Sequence, residues 1–255
     1  MDTVVAVVWS QDAEATPGSG ADVDAAADRP AVGDAADLRV RIAAAVEGPL
    51  SAMGVDEYVL NVRDEAVLGA LIDVQVTSKP FLAAVRARVP VASSTACAEL
   101  VERLRQVGPV SAWSVTASEP LPVVAPAGGG RCEGLANLAF LRRPDRLGRE
   151  EWLRTWLEEH TTVAVETQST TGYTQHVVVR ALTDDAPVID GIVEEMFPIE
   201  AVSDLGVFFD ARGSDERMAA NIRAMTASTA RFLDDGTVDA IPTGRYVVGL
   251  RGPHV

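Results

Sequence analysis

The chain has 255 residues, of which 22 are Lys or Arg and 37 are Asp or Glu, a formal charge of −15. With 47% apolar and 23% charged residues it carries enough core material for one large domain or two small ones, which excludes wholesale disorder. The negative field excludes a nucleic-acid binder, because neutralising phosphates takes clustered cations.

The N-terminus starts acidic at Met1-Asp2, and the β-branched run Thr3 to Trp9 reads as a strand. It has no basic n-region and falls far short of the ~20 apolar residues of a spanning helix, so no membrane partner is expected and a cytoplasmic location is. Residues 11–37, built from Ala, Asp, Gly and Pro and including Pro17-Gly18-Ser19-Gly20, read as a mobile insert. Leu38, Ile42, Val46 and Leu50 recur at helical spacing until Pro49 and Gly54 end the helix. Tyr58 to Val62 and Leu71 to Val76 alternate as two strands, a helix lies around Cys97 to Gln106, and Val110 to Val115 is a strand. Residues 119–133 hold three prolines and Gly128-Gly129-Gly130 and read as a linker. No GxGxxG or Walker pattern follows that triplet, so it is not a phosphate loop.

The second half repeats the order. Gly134 to Leu141 is a strand, and Arg149 to His160 is a helix whose apolar face holds Trp152, Leu153, Trp156 and Leu157. Tyr173 to Leu182 and Val188 to Phe197 are strands, Met218 to Leu233 is a helix, and Arg245 to Leu250 is the last strand. Short words repeat as well: Tyr58-Val59-Leu60-Asn61 answers Tyr173-Thr174-Gln175-His176, and Ile72-Asp73 answers Ile189-Asp190. The expected fold class is α+β: two tandem ferredoxin-like βαββαβ units packed sheet to sheet as an intrachain dimeric α+β barrel. Residues 1–118 form the first unit, a degenerate copy, and residues 134–255 the second.

Cys97 and Cys132 form no CxxC, so neither a zinc site nor a disulfide framework is encoded. Lys79 is the only lysine, a bias of the kind left by GC-rich bacterial coding.

Phe140-Leu141-Arg142-Arg143, Trp156-Leu157-Glu158-Glu159-His160, Tyr173-Thr174-Gln175 and Asp190-Gly191-Ile192-Val193-Glu194 together resemble an EthD-domain protein of the dimeric α+β barrel superfamily, over roughly Asn137 to Leu233. The resemblance implies a cofactor-free lyase or isomerase, of cyclase, dehydratase or decarboxylase type, for a small apolar carbonyl or polyketide-like compound. The alternative it implies is an accessory protein that binds a ligand without chemistry. Heme-degrading and quinone-forming monooxygenases share the broader barrel, and fold does not choose among these. The first half lacks the motif and has no histidine, and His176 stands where Asn61 stands in that half.

The candidate catalytic residues are His160, Tyr173 and Glu194. His160 at a helix end is either a capping imidazole or a proton-transfer group. Tyr173 shares the cleft with it, whereas His176 points to the opposite strand face and reads as a core or interface residue. Glu194 is a base or the partner of an arginine such as Arg142. Asn137, Trp156 and Phe140 are the candidate substrate-binding residues, the tryptophan as an apolar wall for an aromatic molecule. His160 and His176 form no metal-ligand spacing and no GxSxG occurs, so no metal, no cofactor and no Ser-His-Asp triad are expected. Self-association as a homodimer is compatible with all of this.

Overall fold

The computed structural model describes residues 1–11 and 35–250; His254 and most of the 11–37 insert lie outside the described residues. In chain order the elements are β1 (Asp2–Trp9), α1 (Ala35–Ala52), β2 (Glu57–Val62), β3 (Phe81–Val89), α2 (Thr95–Leu104), β4 (Val110–Leu121), β5 (Gly130–Arg131) and β6 (Leu135–Leu141). Then come α3 (Arg149–Arg154), a π-helical segment (Thr155–His160), α4 (Thr161–Thr167), β7 (Gly172–Ala181), β8 (Gly191–Phe197), α5 (Leu205–Phe208), α6 (Asp215–Thr229) and β9 (Asp239–Gly249).

The expected pair of ferredoxin-like sheets packed face to face is not what forms. The eight long strands belong to one antiparallel sheet in the order β2-β3-β1-β4-β7-β8-β6-β9, and β2 pairs back onto β9 to close it. The two halves therefore meet edge to edge, through β4–β7 and β2–β9, as a closed eight-stranded barrel with few helices. Stacked sheets would have left four exposed edges, whereas closure pairs every edge and still covers the bare faces. Short β5 extends the line of β6 along β9.

Three apolar layers follow from strand alternation. Val5, Val7, Trp9, Phe81, Trp113, Leu138, Phe140, Ile192 and Ile241 point into the barrel. Val4, Ala6, Val8, Tyr58, Leu60, Val85 and Ala87 point outward under Ile42 and Val46 of α1 and Leu100 and Leu104 of α2. This explains the unbroken apolar run of β1, a strand covered on both faces. In the second half Ala139, Leu141, Tyr173 and Val193 lie under Trp152, Trp156 and Ala164 of the helical cover. Helix α2 starts where Ser94 Oγ accepts the N–H of Cys97, and it buries Cys97, Leu100, Val101 and Leu104 as a single stripe.

Leu71 to Val76 is not a strand. It is a loop carrying one bridge, Val74 to Ala240, and Asp239 pins it by accepting the N–H groups of Val76 and Thr77. The strand in its place is β3, whose Ala-rich sequence with Arg86 and Arg88 gives little hydrophobic signal; Ile72-Asp73 and Ile189-Asp190 both lie outside the strands, ahead of β3 and β8. Helix α1 continues past Pro49 to Ala52, and the helix starting at Arg149 continues past His160 to Thr167. The stretch 119–133 contributes the end of β4 and all of β5.

Gly134 sits at φ +100°, and a Cβ there would lie 2.1 Å from the Phe197 carbonyl oxygen. Gly134→Ala is expected to destabilise the chain by about 2–3 kcal/mol in urea unfolding, through strain plus that clash.

Candidate functional site

Strand β8 separates two polar clusters, because its adjacent carboxylates project to opposite faces. Both side chains are buried, Glu194 at 1% exposure and Glu195 at 8%.

Glu194 faces the barrel interior. Its Oε1 accepts from Asn61 Nδ2 at 2.8 Å, and Arg245 Nε lies 3.2 Å away, an ion pair in which the N–H is not aimed at the oxygen. Its Oε2 lies 3.5 Å from Arg86. Burial alone would raise this carboxyl, but the charges of Arg86 and Arg245 and the Asn61 hydrogen bond more than offset it, so Glu194 stays ionised below the usual range. His176 Nδ1 lies 3.3 Å from the Ile192 carbonyl, and its Nε2 lies 3.4 Å from Arg86, the contact set of a neutral imidazole with Nδ1 protonated. Burial, reinforced by Arg86, pushes His176 down to about 4. Asn61, Arg86, His176, Glu194 and apolar neighbours enclose a cavity of about 10 Å³, room for a single water.

The second cluster faces the helical cover. Glu195 pairs across the sheet with Asn137 on one side and Tyr173 on the other, forming a row over three strands. Asn137 Nδ2 donates to Glu195 Oε2 at 3.3 Å. No ion pair reaches Glu195 among the described residues, and burial raises it to about 7, partly opposed by the Asn137 hydrogen bond. Burial and the Glu195 charge also raise the Tyr173 phenol, whose hydroxyl lies beside Trp156 and Thr161. Gln175 Nε2 donates to Thr161 Oγ1 at 2.6 Å, and Thr161 Oγ1 donates to the Trp156 carbonyl at 3.1 Å. Asn137 Oδ1 and Trp156 Nε1 have no partner of hydrogen-bond geometry, and neither has Gln168 Oε1 at the end of α4. Such buried orphans are expensive unless something polar meets them.

The π-helical segment lies over this row. The N–H of Thr161 reaches back five residues to the Trp156 carbonyl, which widens the turn and sets Trp156 over Gly191 of β8. A Cβ at Gly191 would come within 2.5 Å of the Trp156 ring, so this glycine is what lets the indole approach the strand. His160 turns away toward α6, where its Nδ1 lies 2.9 Å from Ser228 Oγ and its ring 4.7 Å from that of Phe232. Burial pushes His160 down to about 4, so it is uncharged at neutral pH. Since the helix runs on to Thr167, no C-terminal dipole acts on it.

The structure thus brings Tyr173, Asn137 and Trp156 together, with His160 one turn away, and places Glu194 and Phe140 on the other face of the sheet. Phe140 packs edge-on against Trp9 inside the barrel. Glu194 takes Arg86 and Arg245 rather than Arg142, which bonds Asp239 instead. Sequence reasoning assigned no role to Glu195 and did not single out the two arginines. Strand parity could have found Glu195, since 173 and 195 had to share a face if their strands paired in this register. Among the described residues no group of three or more His, Cys, Asp or Glu could hold a metal ion, and no helix is long and apolar enough to cross a membrane.

The equivalent row in the first half reads Val4, Ala87 and Tyr58. It keeps the tyrosine, which bonds Glu47 of α1, but the strand row itself carries no carboxyl and no amide.

No protein-family model and no curated protein matches the chain. Among solved structures, one described as an anthrone oxidase-like protein aligns over 100% of this chain and 95% of its own, with 9% identity and a TM-score of 0.52. A second, described as a putative chlorite dismutase, aligns over 98% of this chain and 96% of its own, with 11% identity and a TM-score of 0.40. At such identity the first likeness concerns the fold, and it leaves chemistry to the site.

Proposed function

We propose that the chain is an EthD-like acid–base catalyst, a lyase or isomerase working without a bound cofactor on a small, largely apolar carbonyl compound of polyketide type. One observation carries this reading: a carboxyl buried in a row with an amide and a phenol and with no cation beside it, so that burial pushes it up to about 7. A proton-transfer group is most effective when its pKa lies near the working pH, and a low-dielectric surrounding strengthens each contact to a developing charge. Glu195 takes the proton, Asn137 orients the carboxylate, and Trp156 supplies an apolar wall with an unused N–H for a substrate oxygen. Neutral His160, bonded to Ser228, fixes the cover rather than titrating near pH 7.

The alternative is a ligand-binding accessory protein; the polar row is closed, with Asn137, Trp156, Tyr173 and Glu195 all at 8% exposure or less, so either reading requires the helical cover to open. A thermal-shift screen of aromatic carbonyl compounds, followed by exchange of the bound ligand's acidic C–H in D2O, separates them. The catalytic reading expects a raised Tm and exchange that collapses in Glu195→Gln. Binding without exchange would leave the accessory role.

A further inference from the structure

Glu194 and Glu195 are neighbours on β8, and the barrel spends two guanidinium groups and an amide on the first while leaving the second without a cation. Two of those three groups, Asn61 and Arg86, come from the first half, which has no carboxyl in its own row. We propose that Arg86 is a positioning residue for Glu195, fixing β8 and the field across it through the buried ion pair with Glu194. This rests on Glu195 being the working group of the site.

The geometry leaves few other sources of charge. On the interior face of β8 the charged and titratable groups are Glu194, Arg86, Arg245 and His176; on the helix face they are Tyr173 from β7 and His160 from the cover. Both tyrosine and histidine are neutral near pH 7. Two arginines against Glu194 leave one excess positive charge inside the barrel, which favours the ionised form of a carboxyl on the other side of the same strand. The cavity beside Arg86 has room for no more than a single water, so such a charge is screened less across the sheet than it would be in bulk water. Glu119 at the rim, 3.8 Å from Arg86 and half exposed, is screened by solvent.

The test is a direct titration of Glu195 in the full chain by carboxyl-carbon NMR, its resonance assigned by its loss in Glu195→Gln. In Arg86→Met the midpoint is expected to rise by about one unit. In Glu194→Gln it is expected to fall by a similar amount, since two arginines are then uncompensated. Arg86→Lys keeps the charge and is expected to keep the midpoint within a few tenths of a unit. An Arg86 that served only to hold the barrel together would lower the unfolding temperature and leave the midpoint where it was. Should Arg86→Met fail to fold, Glu194→Gln decides, and an unmoved midpoint there overturns the proposal. The titration needs no substrate, so absence of turnover would refute the catalytic reading of Glu195 while leaving this coupling to be read independently.

Discussion

Glu195→Gln is expected to slow proton exchange into a bound carbonyl ligand by about 10²- to 10⁴-fold while leaving ligand affinity close to that of the parent. Glutamine keeps the shape of the side chain and a partner for Asn137, but it cannot accept a proton. The same variant should be more stable than the parent at alkaline pH. In the folded chain Glu195 is raised from 4.5 to about 7, so the unfolded state ionises first. Folding therefore loses stability as pH rises from the unfolded value through 7, and this group costs nothing below about 4.5. A shift of that size corresponds to about 3 kcal/mol at pH 8. Urea unfolding of parent and variant should give equal stability near pH 4 and a widening gap up to about pH 8. Glu194 shifts in the opposite direction, but it is present in both chains, so its contribution cancels apart from its coupling to Glu195. Parallel pH profiles for the two proteins would mean that Glu195 is solvated or paired, and the proposed chemistry would fall with it.

How much of this was legible in the sequence depends on which physical signal each feature carries. Helix α1 and the helix under Trp152 and Trp156 announce themselves by i, i+4 spacing, and β1 by an unbroken β-branched run. That Tyr173 and His176 occupy opposite faces follows from period-two alternation alone, and the structure places them so. Strand β3 was hidden because Ala83, Ala84 and Ala87 have little hydrophobic contrast and Arg86 and Arg88 look like surface residues. Arg86 instead turns inward to Glu194, a contact with a residue 108 positions away that no local pattern encodes. Barrel closure was hidden for the same reason. Pairing of β2 with β9 joins residues near 60 to residues near 246, and edge strands that stack or that close carry the same alternation. The candidate site shows both limits at once: its tyrosine and tryptophan stand out in the sequence, whereas the place of Glu195 beside them was decided by a one-residue register across β6, β7 and β8.

Arg245→Met is expected to destabilise the chain by about 3–5 kcal/mol, the usual cost of removing one partner of a buried ion pair. Arg245 is buried beside Glu194 and donates through its NH1 to Cys132 Sγ at 3.1 Å. Without it Glu194 keeps only Asn61 at close range and Arg86 at 3.5 Å, too little to hold an ionised carboxylate in the barrel interior. Its pKa should then rise, so the deficit should be largest above pH 7 and shrink as acid neutralises the group. The double variant Arg245→Met with Glu194→Met removes both charges and should recover most of the loss, because the desolvation cost disappears along with the attraction. Arg103→Met serves as the control: its pair with Glu99 one turn away on α2 is about half exposed, and such pairs contribute no more than about 1 kcal/mol. If urea unfolding found the double variant as damaged as the single, the guanidinium would be supporting the barrel through Cys132 and the packing around it, and Glu194 would not be its main partner.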